Sequence, residues 1–150
     1  MVYTRAFYEE KINASADQVW AEFGAFNSLP AILPKLVAKS ELDKTGLIRC
    51  LTIKDKDGTR YKRYERLIKY DALTHTLIYE LIDKANSRVP VKNYTAKIQI
   101  KKVAGGRCSV AWSGRFHPKF GTPNEVRPLV EKVYADGIAG VKKQISRKAR

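Results

Sequence analysis

The chain has 150 residues, 44% hydrophobic and 29% charged, the size and composition of one globular domain that buries about 70% of its unfolded surface. No run of about 18 apolar residues occurs, which excludes a transmembrane segment, and Val2-Tyr3-Thr4-Arg5 leads into charged residues rather than an apolar leader, so a cytoplasmic location is expected. Lysine and arginine total 29 against 15 acids; the resulting charge of +14 attracts anions, whether nucleic acid, an acidic lipid surface or an acidic ligand.

Residues 3–13 alternate and predict a strand. Ser15-Ala16-Asp17-Gln18 is a capping box, after which Val19, Trp20, Phe23 and Phe26 follow at helical spacing until Gly24 and Asn27 end the helix. The stretch 29–34 is too apolar for an exposed loop and too bounded by proline for a strand, so it predicts a second short helical turn. Six strands follow, over 36–42, 47–54, 61–70, 75–83, 92–103 and 107–117. Asp55-Lys56-Asp57-Gly58 and Gly105-Gly106 mark tight turns between them, which implies antiparallel pairing. Thr122-Pro123-Asn124-Glu125 combines an N-cap, a first-turn proline and a capping-box glutamate. Val126, Leu129, Val130, Val133, Tyr134, Ile138, Val141 and Ile145 then form one apolar stripe of a long helix. Pro128 lacks the donor that a helix interior needs, so a bent start or a separate first turn is expected.

The order β-α-α-β(×6)-α, without repeat or linker, predicts a single α+β domain over 1–150. Its expected form is a helix-grip fold: a curved antiparallel sheet of six to seven strands wrapped around a long C-terminal helix, with two short helices after strand one. Such a sheet is wider than a helix about 10 Å across, and the space left over is a ligand cavity. On strand 92–103, Tyr94, Ala96, Ile98 and Ile100 share one face; on 107–117, Cys108, Val110, Trp112, Gly114 and Phe116 do. Strand 61–70 admits two placements. If Tyr61, Arg63, Glu65 and Leu67 point inward, two charges about 7 Å apart enter the cavity and bracket a polar ligand group or a water. If the strand is a sheet edge, both lie in solvent.

Five blocks carry a resemblance: Phe26-Asn27-Ser28-Leu29-Pro30; Gly58 with Glu65-Arg66-Leu67 and Asp71; Asn93-Tyr94 with Ala96; Trp112-Ser113-Gly114 with Phe116 and Pro118; and Tyr134-Ala135-Asp136-Gly137-Ile138. In this order they resemble the polyketide cyclase/dehydrase and lipid-transport group of the START-like (SRPBCC) superfamily. The resemblance implies a helix-grip fold with an internal cavity, Glu65 and Tyr94 facing the ligand, a mobile gate at Asp57-Gly58-Thr59 and a facing loop at Val89-Pro90-Val91. The basic residue that anchors an acidic ligand in related hormone receptors falls near Leu33 and is therefore absent. Arg63 is the expected substitute from another strand.

Three functions fit these residues. The first is binding, for transport or sensing, of a hydrophobic or amphipathic small molecule such as a lipid, polyketide or aromatic compound; Tyr61, Arg63, Glu65, Tyr94, Trp112, Phe116, Val133, Tyr134 and Gly137 would line its site. The second is a cyclase/dehydratase-type enzyme, with Glu65 as general acid/base, its pKa raised by partial burial, and Tyr94 donating to a carbonyl or enolate oxygen. The third is a basic nucleic-acid or anionic-surface binder, against which the sequence offers neither evident exposed aromatics for stacking nor a Gly-rich phosphate loop. Cys50, Cys108, His75 and His117 show no metal-ligand spacing, so no metal and no cofactor is expected, and both cysteines are expected as buried free thiols.

Overall fold

In the computed structural model, which describes residues 2–85 and 87–149, a seven-stranded antiparallel sheet curls around one long helix. Arg150, the last cation of the basic tail, lies outside the described residues. The elements run β1 (Thr4–Ile12), α1 (Ala16–Phe23), α2 (Leu29–Ile32), β2 (Val37–Leu42), β3 (Ile48–Lys54), β4 (Arg60–Asp71), β5 (Thr76–Ile82), β6 (Val91–Val103), β7 (Arg107–Pro118) and α3 (Pro123–Lys148). The sheet order is β1-β7-β6-β5-β4-β3-β2, so β2 to β7 form a meander and β1 closes onto its far end. All neighbouring strands of the meander pair antiparallel.

Both capping boxes form as the sequence indicates. The Ser15 hydroxyl accepts from the Gln18 backbone N–H and the Gln18 side chain accepts from the Ser15 N–H; Thr122 and Glu125 repeat the exchange at α3. Pro128 does not split α3, which runs unbroken from Pro123 to Lys148. The carbonyl deprived of its donor is that of Asn124 in the first turn; both residues are exposed, so water can satisfy it.

The inward faces of β6 and β7 are those expected from alternation: Tyr94, Ala96, Ile98, Ile100, Cys108, Val110, Trp112 and Phe116 are all buried. In β6 the buried Val91 and Tyr94 are three residues apart. A bulge absorbs the odd residue, with Asn93 at φ 53°, and this resets the alternation so that Tyr94 points inward. Against this face, α3 packs with α1, α2, β1 and β7. Gly140 permits the crossing with α2, because a Cβ there would strike the Ile32 carbonyl. Leu129 is the exception in the α3 stripe: it is more than half exposed, at the edge of the space that α3 leaves uncovered. Cys108 is a buried free thiol, whereas Cys50 is a half-buried one. Its strand turns Arg49, Leu51 and Ile53 inward, which puts Cys50 on the outer face.

Candidate ligand cavity

Between α3 and the β3–β6 part of the sheet lies a cavity of about 170 Å³. Leu33, Leu51, Ile53, Val130 and Val133 give it apolar walls, and Leu129 stands at its rim. Pro90 and Val91 line it from the facing loop. The turn at Asp57-Gly58-Thr59 is not among the lining residues; Gly58 holds φ 86° and Asp57 accepts from the Thr59 amide and hydroxyl. The two loops meet through an Arg88–Asp55 ion pair, with the Arg88 guanidinium over the Tyr61 ring.

Strand β4 turns its Leu67 face inward, so Arg63 and Glu65 do enter the cavity together. They pair with each other, and Arg49 joins them. Glu65 is 2% exposed and both of its oxygens are occupied. Oε1 accepts from Arg49 Nε at 2.8 Å and pairs with a second Arg49 nitrogen at 2.6 Å; Oε2 accepts from Arg63 Nε at 2.8 Å. Arg49 sits directly opposite Glu65 on the neighbouring strand and is itself 3% exposed. It also donates to the Phe26 carbonyl and lies against the Phe26 and Tyr79 rings. A buried carboxylate needs this pairing, since an unpaired ion in a low-dielectric interior is prohibitive.

This pairing sets the direction of the Glu65 pKa opposite to the rise expected from burial alone. Burial does push its carboxyl up, but the Arg49 and Arg63 guanidiniums outweigh burial and hold it below the usual glutamate range. For Arg63, burial works against the charge and the Glu65 carboxylate more than compensates, leaving the guanidinium firmly protonated.

The polar wall continues in three phenols. Tyr94 and Tyr134 share a hydrogen bond of 2.5 Å, and Trp112 Nε1 donates to the Tyr79 hydroxyl at 3.2 Å. Burial raises the pKa of Tyr79, Tyr94 and Tyr134, and raises that of Tyr61 at the rim, so all are neutral donors at physiological pH. Gly114 makes room for the pair: a Cβ there would collide with the Tyr134 hydroxyl and approach the Tyr94 ring to 2.9 Å.

Of the residues expected to face a ligand, Tyr61, Arg63, Glu65, Tyr94, Trp112, Val133 and Tyr134 line the cavity. Phe116 and Gly137 do not. Phe116 is fully buried behind Tyr94, and Gly137 gives its space to the Trp112 ring, whose Cζ3 would lie 2.6 Å from a Cβ. Arg49, Tyr79 and the aliphatic wall went unnoticed in the sequence. Only the parity of Arg49 with Leu51 and Ile53 could have indicated it. Leu33 lines the cavity as an apolar residue, at the place where the resemblance puts a basic anchor.

Outside the cavity, His75 packs on Trp20 with Nε2 3.3 Å from Asp17, and His117 stacks on Tyr3 and contacts Asn93. Among the described residues no group of three or more His, Cys, Asp or Glu side chains could hold a metal, and no described helix is long and apolar enough to cross a membrane. Exposed aromatics exist after all: Phe7 on β1, Tyr70 on β4 and Phe120 between β7 and α3 are each more than half exposed.

No curated protein sequence matches the chain. Among solved structures, the protein XoxI from Bacillus cereus is 29% identical, with a TM-score of 0.81 over 98% of this chain and 99% of that one. An uncharacterized protein from Bacillus thuringiensis is 30% identical, with a TM-score of 0.80 over 94% and 98%. The Zhui aromatase/cyclase from Streptomyces sp. R1128, 17% identical, shares the fold with a TM-score of 0.79 over 99% and 97%. The family model described as polyketide cyclase / dehydrase and lipid transport matches residues 4–146. With a curved antiparallel sheet around one long helix and a family match over residues 4–146, the chain belongs to the polyketide cyclase / dehydrase and lipid transport family.

Proposed function

We propose that this protein binds a hydrophobic or amphipathic small molecule, such as an aromatic compound, a polyketide or the end of a lipid chain, in the cavity between α3 and the sheet, for transport or sensing. The observation that carries this reading is the cavity itself: about 170 Å³ of space with aliphatic walls and one polar side, in a family named for such ligands. A ligand burying about 200 Å² of apolar surface there gains about 5 kcal/mol, and association costs bring this to micromolar affinity at best. The unpaired cysteines Cys50 and Cys108 suit the reducing cytoplasm.

Native mass spectrometry of gently purified protein tests the reading. A copurifying mass is expected, and it should vanish in Val133→Trp, which fills the cavity. If the native protein carries no such mass and takes up no member of a panel of aromatic and short-chain lipids, the reading is wrong.

One observation favours a second reading, a cyclase or dehydratase. The Tyr94–Tyr134 pair offers a hydroxyl proton inside the cavity beside a guanidinium, an arrangement suited to protonating a leaving oxygen. In that case the acid is the tyrosine pair, and Tyr94→Phe abolishes turnover while sparing binding. For the basic surface, strongly salt-dependent retention on DNA would mark a nucleic-acid partner.

A further inference from the structure

The ion cluster that reaches the cavity wall carries more positive than negative charge. Arg49 and Arg63 bring two guanidiniums to the single Glu65 carboxylate, a local balance of +1. The three are not equivalent. The Arg49 side chain is 4% exposed and occupied by Glu65 and the Phe26 carbonyl. The Arg63 side chain is 18% exposed, and among the described residues it bonds through Nε alone. Its two terminal nitrogens therefore remain available at the wall, with the guanidinium 5.1 Å from the centre of the Tyr94 ring. Beside them, the Tyr94–Tyr134 hydrogen bond uses one hydroxyl proton and leaves the other without an acceptor in the pair. An uncompensated guanidinium and a spare phenol proton at an apolar cavity form an incomplete arrangement, and a carboxylate completes it: its planar pair of oxygens matches the guanidinium fork and takes the phenol as a third donor.

The volume limits what carries that carboxylate. A dry cavity of about 150 Å³ holds one benzene molecule. The space here, about 170 Å³, accommodates a single ring or an equally compact branched body with a short acid arm.

Building on the small-molecule-binding reading, we propose that the ligand is a small aromatic or branched carboxylic acid held by Arg63, and that Arg49 creates this preference without touching the ligand. Arg49 neutralises Glu65, so the charge of Arg63 is left for the ligand. Without Arg49, Glu65 would claim Arg63 and the wall would become neutral. Arg49 is thus a positioning residue, and its role is one of charge balance.

The test titrates benzoate, neutral benzamide and cationic benzylamine into the protein by calorimetry, with resonances of Tyr94 and Ile53 reporting the locus. A charge-assisted contact should make benzoate about 10- to 100-fold tighter than benzamide, with benzylamine weakest. Arg63→Gln, at the more exposed position, should bring benzoate and benzamide within about threefold of each other. Arg49→Met should do the same, and Arg49→Met/Glu65→Gln should restore the benzoate preference, because the balance returns to +1. A merely structural role for Arg49 predicts no such restoration. If benzamide binds as tightly as benzoate, or Arg63→Gln keeps the preference, the acid-ligand inference falls while the cavity reading stands. If none of the three probes nor any lipid or aromatic of the wider panel binds, the cavity reading falls and takes this inference with it.

Discussion

Replacing Glu65 by glutamine removes the one anion between two buried guanidiniums while keeping the side-chain volume. The wild-type group is 2% exposed and receives two Nε–H donors at 2.8 Å, with a further Arg49 nitrogen at 2.6 Å. Removing one partner of a buried ion pair costs about 3–5 kcal/mol, because the remaining charge is stranded. Glutamine keeps one carbonyl acceptor, but it turns an amide donor toward the second guanidinium, so about 3 kcal/mol or more is expected. Urea unfolding at neutral pH measures the loss, provided the m-value is unchanged. The pH dependence gives a second, independent signature. The Glu65 pKa is depressed in the folded state, so its contribution is fully present above the unfolded value of about 4.3 and is lost as pH falls through the folded value. Below about pH 4.3 the wild type should lose up to about 1.4 kcal/mol per pH unit more than Glu65→Gln. A double-mutant cycle with Arg49→Met should show strong coupling, since the two residues are direct cross-strand partners. A loss under about 1 kcal/mol, of the size found for solvated surface pairs, or equal acid slopes in the two proteins would refute the description of Glu65 as a buried, doubly paired carboxylate.

Gly114→Ala should destabilise by about 1–3 kcal/mol through overpacking against the Tyr94–Tyr134 pair, read as a lowered melting temperature; an unchanged transition would show that the tyrosines move aside freely. Asn93→Val should cost about 1–3 kcal/mol, because a β-branched residue resists φ 53°, whereas Asn93→Gly should stay within about 1 kcal/mol in the same urea assay. Arg88→Ala should lower stability by less than about 1 kcal/mol, since both partners of the Arg88–Asp55 pair are partly solvated, while hydrogen exchange quickens in the two loops it joins.

Alternation and capping carried most of the fold because those signals are local. The Ser15–Gln18 and Thr122–Glu125 boxes sit within four residues, and the buried faces of β6 and β7 follow a period of two. The site was less legible because its decisive contacts are not local. Arg49 lies in Ile-Arg-Cys-Leu-Thr-Ile, where both faces carry apolar residues, so its orientation is ambiguous until the Arg49–Glu65 register is known. The tyrosine pair joins residues 40 apart in sequence. Gly137 shows the same limit from the other side: a small residue marks a close approach, but the sequence does not say whether a ligand or the Trp112 ring fills the gap.

The Arg49–Glu65–Arg63 cluster bears on why this cavity is not simply apolar. A store for hydrocarbon needs no ions, and a buried ion cluster is often no more stable than packed apolar side chains of the same volume. Here one carboxylate takes two nitrogens of the deeper guanidinium, which also donates to the Phe26 carbonyl, and only Nε of the shallower one. The deeper arginine stacks on Phe26 and Tyr79, which fixes the carboxylate and hence the position of Arg63 at the wall. The arrangement therefore places one oriented positive charge against an aliphatic space of about 170 Å³. Such a charge adds little affinity for a neutral hydrocarbon and discriminates strongly between an acid and its amide. On this reasoning, shape sets how large a ligand enters, and the unequal sharing of Glu65 between two arginines sets its charge.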